Sequence, residues 1–167
     1  MKVKTKITML ALVVVCVAGI TSFKRDIETA VYINASPAKI YDHMTDFEAY
    51  EKWSPFIKNI SGNLKVNETL NVFIQPKGEE GMSFRPNVLT VDKNKEIRWL
   101  GKLGIKGVFD GEHYFRLEEV SKGRTKLIHG EHFSGIFVPI LWGMIKNSTT
   151  NGFIAHNKAL KILAEAD

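Results

Sequence analysis

The sequence predicts an α+β domain, and three observations carry that prediction. An alternating strand leads into two short helical segments, a succession of further strands follows, and one long helical pattern closes the chain. In the first strand Ile27, Thr29, Val31 and Ile33 share a face. Ser36 then stands where a helix needs a cap, with Pro37 at the first helical position, where its missing N–H costs nothing. Ile40, Tyr41 and Met44 recur at helical spacing behind it. Asp46 is placed to cap a second short helix carrying Phe47, Tyr50 and Trp53, which Pro55 ends.

The strands come next. Phe56 to Leu64 and Thr69 to Gln75 read as a pair joined by the turn Val66-Asn-Glu68. After a loop of helix and strand breakers from Pro76 to Gly81, a strand runs from Met82 to Val91, with Pro86 marking a bulge or an edge. Asp92-Lys-Asn-Lys95 turns the chain into Glu96 to Leu103, then Val108 to Val120 and Arg124 to Ser134, with Ser121-Lys-Gly123 as a hairpin turn. Seven strands result. From Val138 to Ala164 the period becomes helical, and such a helix is about 40 Å long. Val138, Leu141 and Ile145 form one apolar stripe and Ala159, Leu160 and Leu163 another. Between them Asn147-Ser-Thr-Thr-Asn-Gly152 is small and polar, which reads either as room for a ligand under the sheet or as a frayed or kinked helix.

Several pieces occur together in a telling order: Val31-Tyr-Ile-Asn-Ala-Ser-Pro37, Asp46-Phe-Glu-Ala-Tyr-Glu-Lys-Trp-Ser-Pro55, Phe84-Arg-Pro86, Arg98-Trp-Leu-Gly101, Phe109-Asp-Gly-Glu-His-Tyr-Phe-Arg-Leu117 and Glu131-His-Phe-Ser-Gly135. In that order the chain from about Asp26 to Ala166 resembles the START-like (SRPBCC) superfamily of polyketide cyclases, plant allergens and lipid-transfer domains. The resemblance implies a helix-grip fold, here a seven-stranded antiparallel sheet wrapped around the long C-terminal helix, with an apolar cavity between them. It does not imply one activity.

The charge has a local origin. Lys2, Lys4, Lys6, Lys24 and Arg25 account for the whole net charge of +5, and the rest of the chain balances. A nucleic-acid footprint needs a basic face that displaces counterions, and no basic cluster with interleaved aromatics follows Arg25, so nucleic acid is not an expected partner. Residues 1–25 read as a signal sequence or membrane anchor ahead of a domain at 26–167, because Ile7 to Ile20 is uncharged and flanked by lysines before it and by Lys24 and Arg25 after it. The run lacks a clean small-x-small cleavage site, which leans toward an anchor. The lysines ahead of it favour an inside N-terminus and hence a domain outside the cytoplasm. The lone Cys16 lies within this run, so the domain has no disulfide, no thiol nucleophile and no thiolate zinc site.

Candidate site residues follow from strand alternation. Phe109, Gly111, His113, Phe115 and Leu117 fall on one face, opposite Asp110, Glu112, Arg116 and Glu118. In the next strand Thr125, Leu127, His129, Glu131 and Phe133 share the matching face. Trp99, with Ile97 and Leu103, fits the neighbouring one. His113, His129 and Glu131 thereby gather on one wall, where they read as ligand anchors, as an acid–base set, as metal ligands, or as groups that satisfy one another. Phe84, Trp99, Phe115, Leu127 and Phe133 are the apolar candidates for ligand contact, and Arg85 is a candidate carboxylate partner or a solvated strand residue. The apolar bridge from Phe133 through Phe137, Val138, Pro139, Ile140, Leu141 and Trp142 reads as core, lid or membrane-facing patch. No HExxH, CxxC, GxSxG or glycine-rich phosphate loop is present, so no catalytic residue, metal or cofactor is assigned. The expectation is a non-catalytic domain that binds a small hydrophobic molecule or lipid. The alternatives are a cyclase- or dehydratase-type enzyme using His113, His129 and Glu131, and a tethered interaction or stress-response module.

Overall fold

The computed structural model describes residues 22–166, so the apolar run Ile7 to Ile20 lies outside the described residues. The elements are β1 (Phe23–Ile33), α1 (Pro37–Thr45), a 3-10 turn (Phe47–Ala49), α2 (Tyr50–Trp53), β2 (Ile57–Ser61), β3 (Asn71–Ile74), β4 (Met82–Phe84), β5 (Asn87–Asp92), β6 (Glu96–Lys102), β7 (Asp110–Ser121), β8 (Arg124–Gly135) and α3 (Val138–Ala166). Two antiparallel sheets result, one in the order β1-β8-β7-β6-β5 and one in the order β2-β3-β4. The helix-grip architecture holds, with α3 packed along the sheet that carries β1 and β8.

Two expectations are corrected. Among the described residues eight strands form where seven were expected, because Pro86 splits the run from Met82 to Val91 into β4 and β5, which belong to different sheets. Pro86 has no N–H to offer a ladder; its carbonyl instead accepts from Leu70 N at 2.9 Å. The same corner stitches the two sheets, since Asn67 N donates to Val88 O and Val88 N to Glu68 O. Asp46 forms no side-chain capping bond; its backbone carbonyl accepts from Ala49 N at 3.2 Å. The first cap is as expected, with the Ser36 hydroxyl accepting from Lys39 N at 3.3 Å ahead of Pro37.

The core lies between α3, the two short helices and the concave faces of both sheets. Ile33, Ile40, Leu70, Val88, Leu127, Phe153 and Leu160 are fully buried in it. α3 runs unbroken through Gly152, and the close approach of Phe56 explains that glycine: a Cβ there would run into the Phe56 ring. Phe56 also meets Phe153 edge-on at 5.7 Å. Gly152→Ala is therefore expected to destabilise the protein by about 1–2 kcal/mol in urea unfolding, although alanine is the better helix former. Unchanged or raised stability would show that the ring yields freely.

Candidate functional site

Strand alternation places His113 on β7 and His129 and Glu131 on β8 with their side chains inward, and the register sets His113 opposite Glu131. His129 is fully buried and His113 almost so, whereas the Glu131 side chain keeps 19% of its exposure although it faces the concave side. Water therefore reaches the carboxylate but not the second imidazole. His129 Nε2 lies 3.0 Å from His113 Nε2, and His113 Nδ1 lies 3.5 Å from a Glu131 oxygen. On its other side, His129 Nδ1 is 2.8 Å from Asn157 Oδ1. Asn157 Nδ2 donates to the Thr29 hydroxyl at 2.9 Å, and that hydroxyl donates to the His129 carbonyl at 3.1 Å.

These bonds have a fixed direction. A carbonyl only accepts, so the Thr29 hydroxyl must give its proton to it and accept from the Asn157 amide nitrogen. The Asn157 oxygen then faces His129, whose Nδ1 must carry hydrogen. Neutral His129 is left with a lone pair on Nε2, which accepts from His113 Nε2–H. With hydrogen on Nε2, His113 turns its other ring nitrogen, Nδ1, toward Glu131. Burial holds the His129 imidazole well below the ordinary histidine range, with His113 and His156 adding like-charge opposition, so the neutral form assumed here is the stable one. With both ring nitrogens engaged, His129 has no lone pair for a metal. No group of three metal-binding side chains occurs among the described residues.

Aromatic rings enclose this chain. Trp99 lies parallel to His113 at 4.8 Å, Phe153 stacks on His129 at 3.8 Å, and Phe115 leans on His129 at 4.3 Å. His156, also fully buried, has its Nδ1 2.9 Å from the Ser54 hydroxyl, which accepts from Ile57 N as well. Burial lowers the His156 pKa to about 3, with help from His113.

Beside this cluster a cleft of about 670 Å³ opens between the middle of α3 and the second sheet. Ser148, Asn151, Gly152 and Ala155 form its helical side; Phe56, Lys58 and the loop from Gln75 to Glu79 face them. The small residues of the helix thus border open space without interrupting the helix. Phe56 and Phe153 stand between the cleft and the histidines.

Of the residues singled out in the sequence, the structure brings together Trp99, His113, Phe115, Leu127, His129 and Phe133 as buried neighbours, with Glu131 at their edge. Phe84 and Arg85 lie apart: Phe84 is half-buried on β4 opposite Val72, and Arg85 is exposed between the two sheets. None of these nine residues lines the 670 Å³ cleft. Asp110, assigned to the outer face by alternation, is buried because its carboxylate accepts from Gly107 N at 2.9 Å and closes the β6–β7 loop. Sequence reasoning missed His156 and Asn157. Their signal was present, since Phe153, His156, Asn157, Leu160 and Ala164 follow helical spacing on the buried face.

Comparison with curated proteins gives no match. Solved structures match closely in fold. A START superfamily protein from Mycobacterium smegmatis is 23% identical with a TM-score of 0.67, over 84% of this chain and 97% of that one. The Zhui aromatase/cyclase from Streptomyces is 14% identical with a TM-score of 0.67, over 86% of this chain and 94% of that one. A norcoclaurine synthase mutant from Thalictrum, in complex with a transition-state analogue, is 16% identical with a TM-score of 0.68, over 87% and 96%. At these identities the likeness shows the fold. The family model described as polyketide cyclase / dehydrase and lipid transport matches residues 24–164, nearly the whole described chain. With its gripped helix and its inward-facing strand residues, this chain belongs to that family.

Proposed function

We propose that this domain binds a small hydrophobic molecule or lipid, entering by the cleft beside the middle of α3, without chemistry of its own. The cleft carries this reading: about 670 Å³ falls within the range of roughly 300–1,000 Å³ usual for small-molecule sites, and it opens where the helix is built of small residues. Behind its wall stand the buried apolar side chains of Trp99, Phe115, Leu127 and Phe133, and burying the ligand's own apolar surface against such a core would stabilise a complex by about 25 cal/mol per Å². Phe84 and Arg85 contribute only if the ligand extends toward the second sheet. Glu131, partly exposed at one end of the polar chain, would meet a ligand's polar end, with His113 and His129 fixing its orientation. Localisation belongs to the same proposal: the uncharged run Ile7 to Ile20 supports a domain that is membrane-anchored or exported, outside the cytoplasm.

Native mass spectrometry of the gently purified full chain, with titration of a fluorescent apolar probe, tests the binding. Ala155→Trp places an indole in the cleft from an exposed helical position and is expected to weaken probe binding by about tenfold with the thermal midpoint unchanged. A variant that binds like the parent would remove the cleft from the proposal. A parent that carries and takes up nothing apolar would remove the binding itself.

One observation favours a second reading, catalysis of the cyclase or dehydratase type. The direction of the hydrogen bonds leaves His113 Nδ1 facing a carboxylate that water can reach, an arrangement suited to moving a proton. Turnover abolished by His113→Ala in a folded protein would support it.

A further inference from the structure

We infer that one end of the domain, built from the 103–109 loop, the start of β1 and the first turns of α3, docks on the surface of a lipid bilayer. Backbone bonds gather these pieces: Leu103 N donates to Phe109 O, Ile136 N to Gly107 O and Phe137 N to Val108 O, while Phe23 pairs with Gly135. The first turns of α3 carry no polar side chain from Val138 to Ile145. A helix apolar on every side needs cover on every side. Val138, Trp142 and Ile145 pack against the core, and the opposite side is open: Ile140 is 68% exposed and Met144 75%. Phe137, Leu103 and Ile105 are exposed beside them, Ile105 at 75%.

The charges around this patch fit an anionic lipid surface. Lys24, Arg25, Lys102, Lys106 and Lys146 are exposed at its rim, and no ion pair among the described residues takes up Lys102, Lys106 or Lys146. The nearby acids are engaged, Asp110 with Gly107 N and Asp26 with His132. Apolar and aromatic side chains ringed by lysines are the composition of a membrane-interface surface. A bilayer is favoured over a second copy of the chain by where β1 starts: Phe23 lies at this same end, and in the sequence it follows the uncharged run Ile7 to Ile20. The inference therefore rests on the reading of that run as a membrane segment.

The helix carries the patch toward the cleft. Phe137, Ile140 and Met144 share a face with Ser148, Asn151 and Ala155, and one turn, about 6 Å, separates Met144 from Ser148. A docked domain would hold its cleft next to the lipid, so an apolar ligand would pass along one helix face. Docking stands whether or not the cleft holds a ligand, and the two fail separately.

The full chain carrying Cys16→Ser, with a nitroxide at Ile105→Cys, Ile140→Cys or Met144→Cys, reconstituted in phosphatidylcholine–phosphatidylglycerol vesicles, tests the docking by power-saturation EPR. A label at Lys122→Cys, at the far end of β7 and β8, is the aqueous control. The first three labels are expected to be relaxed by oxygen and shielded from a nickel chelate, the control the reverse. Labels at 140 and 144 that meet nickel like the control would overturn the inference. So would protein that stays off the vesicles, or labels shielded from both reagents in vesicles and detergent alike, as when residues 1–21 or a second copy cover the patch. Met144→Glu, at an exposed position, should raise nickel access at Ile105→Cys without altering the circular dichroism spectrum.

Discussion

Acidification from pH 7 toward pH 4 is expected to unfold this domain steeply, because two fully buried histidines must stay neutral in the fold. Burial and neighbouring imidazoles hold His129 well below the ordinary value of 6.5 and bring His156 down to about 3. The unfolded chain binds both protons near pH 6.5, and the folded one does not. Their contribution is thus fully present above about pH 6.5 and is lost as the pH falls through the window toward 3. Each histidine tilts stability by about 1.4 kcal/mol per pH unit, and the pair by about 3, so that about two to five units would exhaust a typical domain's stability. Guanidinium unfolding at a series of pH values reads the slope. His156→Phe should halve the slope between pH 6 and 4, whatever it does to absolute stability, and a slope left unchanged would show that this proton is taken up without unfolding.

Phe153→Ala is expected to cost about 3–5 kcal/mol, the range for removing a buried aromatic ring. The ring does more than fill space. It stacks on His129 at 3.8 Å, meets His113 at 5.2 Å and backs Phe56 at 5.7 Å, so its loss opens the cleft toward the polar chain. Water entering there would relieve the desolvation that depresses the His129 pKa. The variant should therefore show a lowered denaturation midpoint together with a His129 pKa moved up toward 6.5 in an NMR titration. A destabilised variant whose His129 remained unprotonated down to low pH would mean that the surrounding side chains had closed over the gap.

The readable parts of the sequence were those in which one period governs a long stretch. Alternation in β7 and β8 put His113, His129 and Glu131 inward together, because a single hairpin sets the register of all three. The Ser36–Pro37 cap and the span of α3 were legible for the same local reasons. Pro86 was legible as a disturbance only. Whether a proline makes a bulge or sends the chain into another sheet depends on partners distant in sequence, here Glu68 and Leu70. Gly152 reads in sequence as a fray or a kink; the reason for the glycine, the Phe56 ring, lies almost a hundred residues earlier in the chain. His156 and Asn157 escaped notice because polar residues on a helix are normally outward, and only the sheet and the short helix α2 packed against them make these two internal. The cleft, formed by a loop, a strand and a helix from three parts of the sequence, had no local signature beyond the small residues at its helical side.

The string of polar contacts through the interior is closed at one terminus. At Thr29 it ends on a peptide oxygen that cannot release hydrogen, and every link back to His113 takes its orientation from that stop. The network therefore behaves like a circuit grounded at β1, with the Glu131 contact at its other terminus. A guest carrying a carbonyl and one carrying an amine would bias that contact in opposite senses, and the imidazole chemical shifts would report which kind had arrived.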